Sequence, residues 1–293
     1  DSTETVEPEE VAIEKIKSDW ETLEKIAEEI SKDIKIDENS KEATTVVDGK
    51  KYTIKVGDIF EVEYDGITKP VRVLGFKHDT LVKNYDGTPN TIADTEANSP
   101  KAGISFEFVD FMTGTTYMPM NSSSTSNGGW AKMKLRQDLN GYTTTADTQN
   151  GTIGGLGAKL SNKAQIKQVK KDYITTYNTG EQSKCHDYLW LLSCAEIVNT
   201  GSETGTSGYA RTREGSQYPY YKEVTTNKDT GKDIAYNTEN PALVKKDSSS
   251  GTANTWWLRS PDHGLSGLFC VVSYNGNMGS NASGSNGVAP GFA

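Results

Sequence analysis

The sequence predicts an α+β protein in which one amphipathic helix precedes short antiparallel strands and long loops. Between residues 9 and 32, apolar residues recur at intervals of three and four, which is the spacing of one helix face. From residue 43 onward the apolar period changes to two, as in half-buried strands. The 293 residues include 28 glycines and 9 prolines, so turns and loops are expected along the whole chain.

The helix predicted over residues 9–32 has a narrow apolar stripe. Its members are Ile13, Ile16, Trp20, Leu23, Ala27 and Ile30, with Glu and Lys between them. The stripe fits a surface helix lying on the domain or a short coiled-coil seam. Because three turns of seam are marginal alone, packing on the domain is the favoured interpretation.

Two β-hairpins and a further strand are predicted after this helix. The first hairpin is Thr45–Ile54, with a turn at Asp48-Gly49. The second joins Ile59–Tyr64 to Pro70–Phe76 through Asp65-Gly66. Residues 104–111 form another alternating run and predict a strand.

The middle of the chain predicts shorter elements between polar loops. We expect a helix from about Trp130 to Asn140-Gly141, a helix at Ser161–Ile174, a loop at 178–187, a buried strand at Tyr188–Leu192, a helical turn at Ser193–Val198 and a long polar loop at 199–254. A loop of that length in a compact domain usually carries function or is disordered.

The net charge is −9, from 31 basic and 40 acidic residues, with a pI near 5.0. The first 40 residues hold 14 acids and five lysines, so the acidity belongs to the N-terminal region. Nucleic acid and anionic membrane surfaces are therefore not expected partners, and no apolar run is long enough to span a membrane. We expect residues 1–17 to be an acidic extension running into the helix, and residues 18–293 to be one domain. Whether a leader or lipid anchor was removed is left open.

Residues 256–293 differ in kind from the rest of the chain. From Asp262 to Gly287, 16 of 26 residues are Gly, Ser, Asn or Tyr, and no Lys, Arg or Glu occurs after Arg259. These are the residue types enriched in adaptable binding loops, although a flexible coil has a similar composition. The double Trp before the stretch and the apolar segment after it favour an ordered binding surface.

The candidate ligand-binding residues in this stretch are His263, Ser266, Leu268, Ser273, Tyr274, Asn275, Asn277, Met278, Ser280, Asn281, Ser283, Ser285 and Asn286. The candidate scaffold residues are Trp256, Trp257, Arg259, Phe269 and Phe292. We expect tyrosines of the long loop to line the site. They are Tyr209, Tyr218, Tyr220 and Tyr221.

Several short motifs carry a resemblance to a known family. They are Gly128-Gly129-Trp130, Leu135-Arg136, Leu139-Asn140, Leu189–Ser193, Glu214–Tyr218, Trp256–Pro261 and Gly287–Phe292, with further pieces upstream from Ser18. In number and order they resemble a family of uncharacterised bacterial and phage-borne domains over about residues 18–293. That family is similar to C-type-lectin-like folds, including receptor-binding proteins diversified by retroelements.

The resemblance implies a C-type-lectin-like fold with a C-terminal cassette that is mutated at the adenines of Asn codons. Ser, Gly, Asp, His, Tyr and Asn are reachable in this way, and they fill most positions from His263 to Asn286. Met278 departs from the pattern, because adenine changes in an Asn codon cannot produce Met.

The sequence lacks the motifs of catalysis and metal binding that we sought. The Glu-Pro-Asn, Gln-Pro-Asp and Trp-Asn-Asp signatures of calcium-dependent lectins are missing, as are a P-loop and a Gly-x-Ser-x-Gly elbow. His78, His186 and His263 are too scattered for a metal set. His78-Asp79 is expected to make structural hydrogen bonds, and the three cysteines are expected to be buried thiols. We therefore expect no catalytic residues, metal or cofactor.

The sequence thus favours a non-enzymatic recognition protein whose partner is a protein or glycan on another surface. By resemblance it would be extracellular, at a cell surface and tethered by its N-terminus, or part of a virion. Two alternatives stay open, namely an enzyme or accessory protein acting on cell walls or glycans, and a structural subunit of a cell surface or phage tail.

Overall fold

A computed structural model describes residues 7–143, 153–177, 179–198, 214–281 and 284–293, with the backbone alone at 280 and 281. The strands are β1 Glu9–Glu10, β2 Glu42–Val47, β3 Lys50–Lys55, β4 Ile59–Tyr64, β5 Ile67–Phe76, β6 Thr80–Leu81, β7 Ile104–Phe108, β8 Met118–Pro119, β9 Val169–Thr176, β10 Glu181–Asp187, β11 Lys245–Lys246, β12 Ala253–Asn254, β13 Trp256–Pro261, β14 Phe269–Val272, β15 Met278–Asn281, β16 Ser285–Asn286 and β17 Gly291–Phe292. The α-helices are α1 Trp20–Lys32, α2 Lys134–Asn140, α3 Cys194–Ile197 and α4 Pro219–Val224, and short 3₁₀ turns lie at Ile13–Ile16, Trp130–Lys132, Gly155–Lys159 and Pro241–Leu243.

Helix α1 is shorter than its apolar stripe predicts. It begins after Asp19, whose carboxylate accepts a hydrogen bond from the Thr22 amide at 3.1 Å. The preceding residues form a 3₁₀ turn and a strand, because Glu9–Glu10 pair in parallel with β3. The buried face of α1 packs on β2 and β7, so the prediction of packing on the domain is confirmed.

Both predicted hairpins are confirmed. Strands β2 and β3 meet at Asp48-Gly49, and β4 and β5 meet at Asp65-Gly66. Both residues of each turn have positive φ, between 50° and 79°, which is the backbone that two-residue hairpins require and that Asp-Gly adopts readily.

A four-stranded sheet in the order β17-β7-β5-β4 forms the centre of the molecule. Phe106 of β7 stacks on Phe292 of β17 with ring centroids 5.3 Å apart, and Trp20 of α1 lies against both rings. One cluster of buried side chains runs from Val11 to Phe292 through this sheet and the small sheets around it. The α+β prediction is therefore confirmed, as a mixture of helices and mostly small antiparallel sheets.

The helix predicted at Ser161–Ile174 and the loop predicted at 178–187 are both wrong. Residues 161–165 form turns, and β9 then pairs antiparallel with β10 and β6. Along β9, Val169, Lys171 and Tyr173 face inward in strand alternation. The charge of the inward Lys171 hides that alternation in the sequence.

The apolar run Tyr188–Leu192 is buried but is not a strand. Only Trp190 forms an isolated bridge, to Gly291. The amides of Tyr188 and Leu189 instead donate to Asn140 Oδ1, each at 2.9 Å. The helical turn predicted at Ser193–Val198 is confirmed as α3, which Ser193 and Glu196 begin with a capping box.

The helix predicted near Trp130 is confirmed as a 3₁₀ turn followed by α2, which ends at Gly141 with φ 72°. Within the predicted long loop, residues 214–254 hold α4, β11 and β12, and Tyr209 lies outside the described residues.

No helix among the described residues has the length and apolar character needed to cross a membrane.

Candidate functional site

Strands β13, β14 and β15 form a sheet that supports the C-terminal residues. Trp256 and Trp257 at its start are both fully buried. Their indole N–H groups donate to the carbonyls of Leu243 at 3.1 Å and Met118 at 2.7 Å. Each ring therefore buries a large apolar area without leaving its polar atom unpaired.

Arg259 ties this sheet to the interior. Its guanidinium donates to both carboxylate oxygens of Glu196, at 2.6 and 3.0 Å. It also donates to the carbonyls of Leu191 and Glu214, at 2.8 and 2.9 Å. Because Arg259 is completely buried, these bonds hold the strand in place and leave no donor at the surface.

The turn between β14 and β15 presents the most exposed aromatic ring of this region. Ser273 and Asn277 close the turn through a backbone bond of 2.8 Å, and Tyr274 at its tip is 64% exposed. Gly276, with φ 82°, passes so near the Asn240 carbonyl that a Cβ would lie 1.9 Å from the oxygen. This close contact braces the turn against the loop at 236–240.

The loop between β13 and β14 is fixed at both of its ends. Asp262 Oδ1 accepts hydrogen bonds from the amides of Gly264 and Leu265, at 2.7 and 3.1 Å. The Ser266 carbonyl accepts from the Ser126 amide at 2.7 Å and from its hydroxyl at 2.9 Å. Leu265 between these points is 57% exposed, so the loop offers an apolar side chain on a held backbone.

A cleft of about 240 Å³ lies beside this loop. Its walls combine Trp257, Phe269, Gly284 and Ser285 with the serine-rich segment 119–125. Sequence reasoning did not include that segment in the site. Its Asn and Ser content is part of the signal that marked residues 262–286, and the segment could have been found on that ground.

The structure places the candidate ligand-binding residues in three groups. Those with exposed or partly exposed side chains are His263, Ser266, Leu268, Ser273, Tyr274, Asn275, Asn277 and Ser285. Met278 and Asn286 are 5% and 6% exposed and offer little area to a surface ligand. Ser283 and the side chains of Ser280 and Asn281 lie outside the described residues. The scaffold candidates Trp256, Trp257, Arg259, Phe269 and Phe292 are all buried.

Of the tyrosines expected to wall this surface, Tyr218 and Tyr221 are buried elsewhere. The Tyr221 hydroxyl donates to Glu107 at 2.7 Å, and the Tyr218 hydroxyl donates to Asp79 at 2.8 Å. Tyr220 is partly buried beside Arg72, 4.2 Å from the guanidinium carbon to its ring centroid. None of these three rings lines the cleft.

A buried network of charges extends from Arg259 to Asp79. Lys171 joins its two halves, 2.5 Å from Glu196 Oε1 and 2.6 Å from Asp79 Oδ1. Burial by itself would raise the pKa of the Glu196 carboxyl, but Arg259 and Lys171 lower it below the ordinary value. The two acids are therefore held ionised in the interior by their cationic partners.

Glu214 lies at the edge of this network with its charge poorly compensated. Burial raises the pKa of its carboxyl from 4.5 to about 7, although Arg259 opposes that rise. Its Oε1 accepts a hydrogen bond from the Ile174 amide at 2.8 Å. Glu214 is thus an interior carboxyl that changes charge near neutral pH.

Cys185, Cys194 and Cys270 are free and buried, which confirms the prediction for the thiols. A hydrogen bond with Cys194 and burial raise the pKa of the Cys270 thiol well above its ordinary value, so it is held protonated. Among the described residues, no group of three or more His, Cys, Asp or Glu side chains could hold a metal ion.

A family model described as Domain of unknown function (DUF6273) matches residues 112–293. The match begins after β7 and includes α2, α3 and the β13–β15 sheet. No curated protein and no solved structure matches the chain.

Proposed function

We propose that this chain, which belongs to the DUF6273 family, is a ligand-recognition protein that binds through the surface of residues 262–286, here called the C-terminal surface. It would act there by binding and not by catalysis. The observation that carries the proposal is the contrast between two parts of this region. The support consists of the buried residues of the β13–β15 sheet, and the rim consists of the exposed residues of the two loops that join its strands.

The support is stiff because its apolar residues are buried and its polar groups are paired. Trp256, Trp257 and Phe269 are at most 2% exposed. The rim carries Tyr274 and Leu265, which are more than half exposed, among small polar side chains. A rigid aromatic side chain loses little entropy on binding, and small polar neighbours adapt their hydrogen bonds to different ligands.

We further propose that the domain is of the C-type-lectin-like type and that the C-terminal surface is a target of retroelement diversification. Exposed positions of this surface carry residues that adenine changes in Asn codons can reach, such as Ser266, Tyr274 and Ser285. Met278, which such changes cannot produce, is buried against the support. Aligned genomic copies of the gene should vary at the codons of the exposed positions. An imperfect repeat and a reverse transcriptase gene should lie nearby in the same genomes. Uniform divergence over the whole chain would contradict the proposal.

The proposed partner is a protein or glycan on another surface. The chain itself would be displayed at a cell surface or on a virion. The support for this is the chemistry of the rim, which offers an aromatic face and amide and hydroxyl groups without a lysine, arginine or glutamate. Such a surface suits neutral, hydroxyl-rich or mixed polar and apolar ligands.

Binding to a glycan array and to a panel of intact bacterial cells tests this function. We expect Tyr274→Ala to weaken the binding of any captured glycan or cell by roughly 30-fold, which is a typical hot-spot loss of about 2 kcal/mol. Melting should change little, because exposed substitutions usually cost within about 0.5 kcal/mol. Ile67→Ala, at a residue 61% exposed on the β4–β5 hairpin, is the matched control and should leave binding unchanged. Unaltered binding by Tyr274→Ala, or no binding by the wild type to either probe, would contradict the proposal.

A further inference from the structure

Three side chains outside the C-terminal surface stand in the order Ser, His, Asp. Nε2 of His78 lies 3.1 Å from Ser216 Oγ and 3.0 Å from the Ser216 carbonyl oxygen. On the other side of the imidazole, Nδ1 lies 3.5 Å from Oδ1 of Asp79. At 3.5 Å the Nδ1 contact is electrostatic and not a hydrogen bond. The two ring nitrogens thus lie near a hydroxyl and a carboxylate, the groups that serve as nucleophile and orienting acid around a histidine base. The role of base requires Nε2 without a proton, which is the tautomer that contacts the Ser216 hydroxyl and not its carbonyl.

The carboxylate is fixed and charged. Asp79 Oδ2 accepts hydrogen bonds from Ser105 Oγ at 2.6 Å and from the Tyr218 hydroxyl at 2.8 Å, while Lys171 contacts Oδ1. Burial by itself would raise the pKa of the Asp79 carboxyl, but Lys171 and His78 hold it well below its usual range. An ionised carboxylate 3.5 Å from Nδ1 stabilises the imidazolium that forms during acyl transfer.

The imidazole is held in place by the residues around it. Its ring stacks on Tyr218 with the centroids 3.9 Å apart. The preceding residue, Lys77, has φ 48°, a left-handed conformation that a side-chain-bearing residue adopts at a cost in energy. Such strain persists where the surrounding structure enforces it, and here it turns the chain from β5 toward Ser216.

Ser216 is exposed, yet the segment that carries it is anchored in the interior at both ends. The Glu214 carbonyl accepts hydrogen bonds from Ser193 Oγ and from Arg259, and the Tyr218 amide donates to the Glu196 carbonyl at 3.0 Å. Gly215 between them has φ 97°, and a Cβ there would lie 3.3 Å from Glu196 Oε1. The tight turn at Gly215 thus brings the serine hydroxyl to the surface beside His78.

Two clefts, of about 780 and 340 Å³, share His78, Gly215 and Ser216 in their walls. The larger one is otherwise lined mainly by polar and charged side chains, including Lys41, Lys222 and Asn227. Among the described residues of its wall, the apolar ones are Ala195 and Pro219. Two small apolar residues in a mainly polar wall suit an ester with a short acyl group and a polar alcohol.

We propose that Ser216, His78 and Asp79 form a hydrolytic centre for short-chain esters of polar, hydroxyl-rich alcohols such as O-acylated sugars. Ser216 Oγ bonds to the ester carbonyl carbon as its proton passes to His78 Nε2. The bond from that carbon to the alcohol oxygen then breaks, and the proton of His78 leaves with the alcohol. Water gives a proton to His78 as it attacks the acyl-serine, and His78 then passes that proton to Ser216 Oγ as the bond from Oγ to the acyl carbon breaks and the acid leaves.

Two backbone amides are available as donors for the oxyanion. Within the part of the chain that the structure describes, the amides of Ser216 and Gln217 donate to no protein acceptor. Amides of the nucleophile and of the residue after it are a recurrent source of oxyanion stabilisation. This centre lacks the strand-to-helix elbow that would have revealed it in the sequence, where His78-Asp79 was expected to make structural bonds alone.

Labelling with a fluorophosphonate probe and hydrolysis of p-nitrophenyl acetate test the proposal. We expect the wild type to carry the probe on Ser216, and Ser216→Ala to lose both the label and roughly 10³-fold in kcat/KM. His78→Gln should lose roughly 10²–10⁴-fold because it removes the base. Ser183→Ala, an exposed serine on β10 outside both clefts, is the matched control and should keep full labelling and activity.

Asp79 acts through His78, so its variant is read differently. Asp79→Asn should lower kcat for p-nitrophenyl acetate while KM stays within about twofold, in protein whose circular dichroism matches the wild type. A variant that fails to fold leaves the decision to Ser216→Ala. Acetyl esters should also be hydrolysed faster than octanoyl esters, because Ala195 and Pro219 line little apolar space.

Wild-type labelling or hydrolysis no greater than that of Ser216→Ala would overturn the proposal, as would a label on another serine. The result is separable from the function of the C-terminal surface. Tyr274→Ala should keep its esterase activity, and Ser216→Ala should keep its binding to glycans and cells.

Discussion

Glu214→Gln tests whether an interior carboxyl makes stability depend on pH. The folded protein raises the pKa of Glu214 from 4.5 to about 7, so between these values the folded chain holds a proton that the unfolded chain has lost. The contribution of Glu214 to the free energy of unfolding is therefore fully present below pH 4.5 and is lost as the pH rises through about 7. At 1.36 kcal/mol per pKa unit, the loss amounts to roughly 3 kcal/mol.

Glutamine keeps an oxygen that can accept the Ile174 amide and cannot ionise. The free energy of unfolding, measured by urea denaturation, should be similar for the variant and the wild type at pH 5. At pH 8 the variant should be more stable by up to roughly 3 kcal/mol. Glu63→Gln, at an exposed position of β4, should follow the wild type at every pH. Parallel curves for Glu214→Gln and the wild type between pH 5 and pH 8 would refute the reasoning.

Two further predictions concern the support of the C-terminal surface. Trp256→Ala, Trp257→Ala and Phe292→Ala should each lower the free energy of unfolding by roughly 3–5 kcal/mol, since every ring is buried, and wild-type melting of all three proteins would contradict this role. Arg259→Met should cost roughly 3–5 kcal/mol because it leaves Glu196 buried with one cation fewer, and the double variant with Glu196→Leu should recover part of that loss. Additive losses in urea denaturation would show that the two residues are not coupled.

Local signals predicted both hairpins and the short helix after Ser193 well. The turns at Asp48-Gly49 and Asp65-Gly66 were predictable because their backbone needs positive φ at two adjacent residues. Ser193 and Glu196 began a short helix because their side chains satisfy the first amides directly. Each of these features depends on residues close together in the chain.

Pairing between distant residues was not predictable in this way. Lys171 occupies an inward position of β9, where sequence reasoning expects an apolar residue, because Asp79 and Glu196 pair with it there. Strand β10 has an almost entirely polar sequence, and only its partner β9 makes it a strand. The position of Ser216 beside His78 likewise depends on a contact across 138 residues.

The C-terminal surface was predicted from composition, and the structure adds its neighbours. Sequence reasoning proposed Tyr274 and the residues around it but did not include segment 119–125, which lines the cleft. It also assigned Tyr218 and Tyr221 to the wall, although their hydroxyls donate to interior carboxylates. Composition identifies residue types that suit binding loops, but it does not distinguish them from buried polar partners.

The order of strands in the central sheet has a consequence for synthesis of the chain. Strand β17 pairs with β7, so Phe292 completes a layer whose other rings, including Phe106, are made much earlier. At a synthesis rate of about 5–20 residues per second, roughly 10–40 s pass between the synthesis of β7 and that of β17. Throughout that interval an apolar edge strand is open to pairing with other nascent chains. We therefore expect the yield of soluble protein to depend on chaperones that cover this edge until residues 291 and 292 emerge.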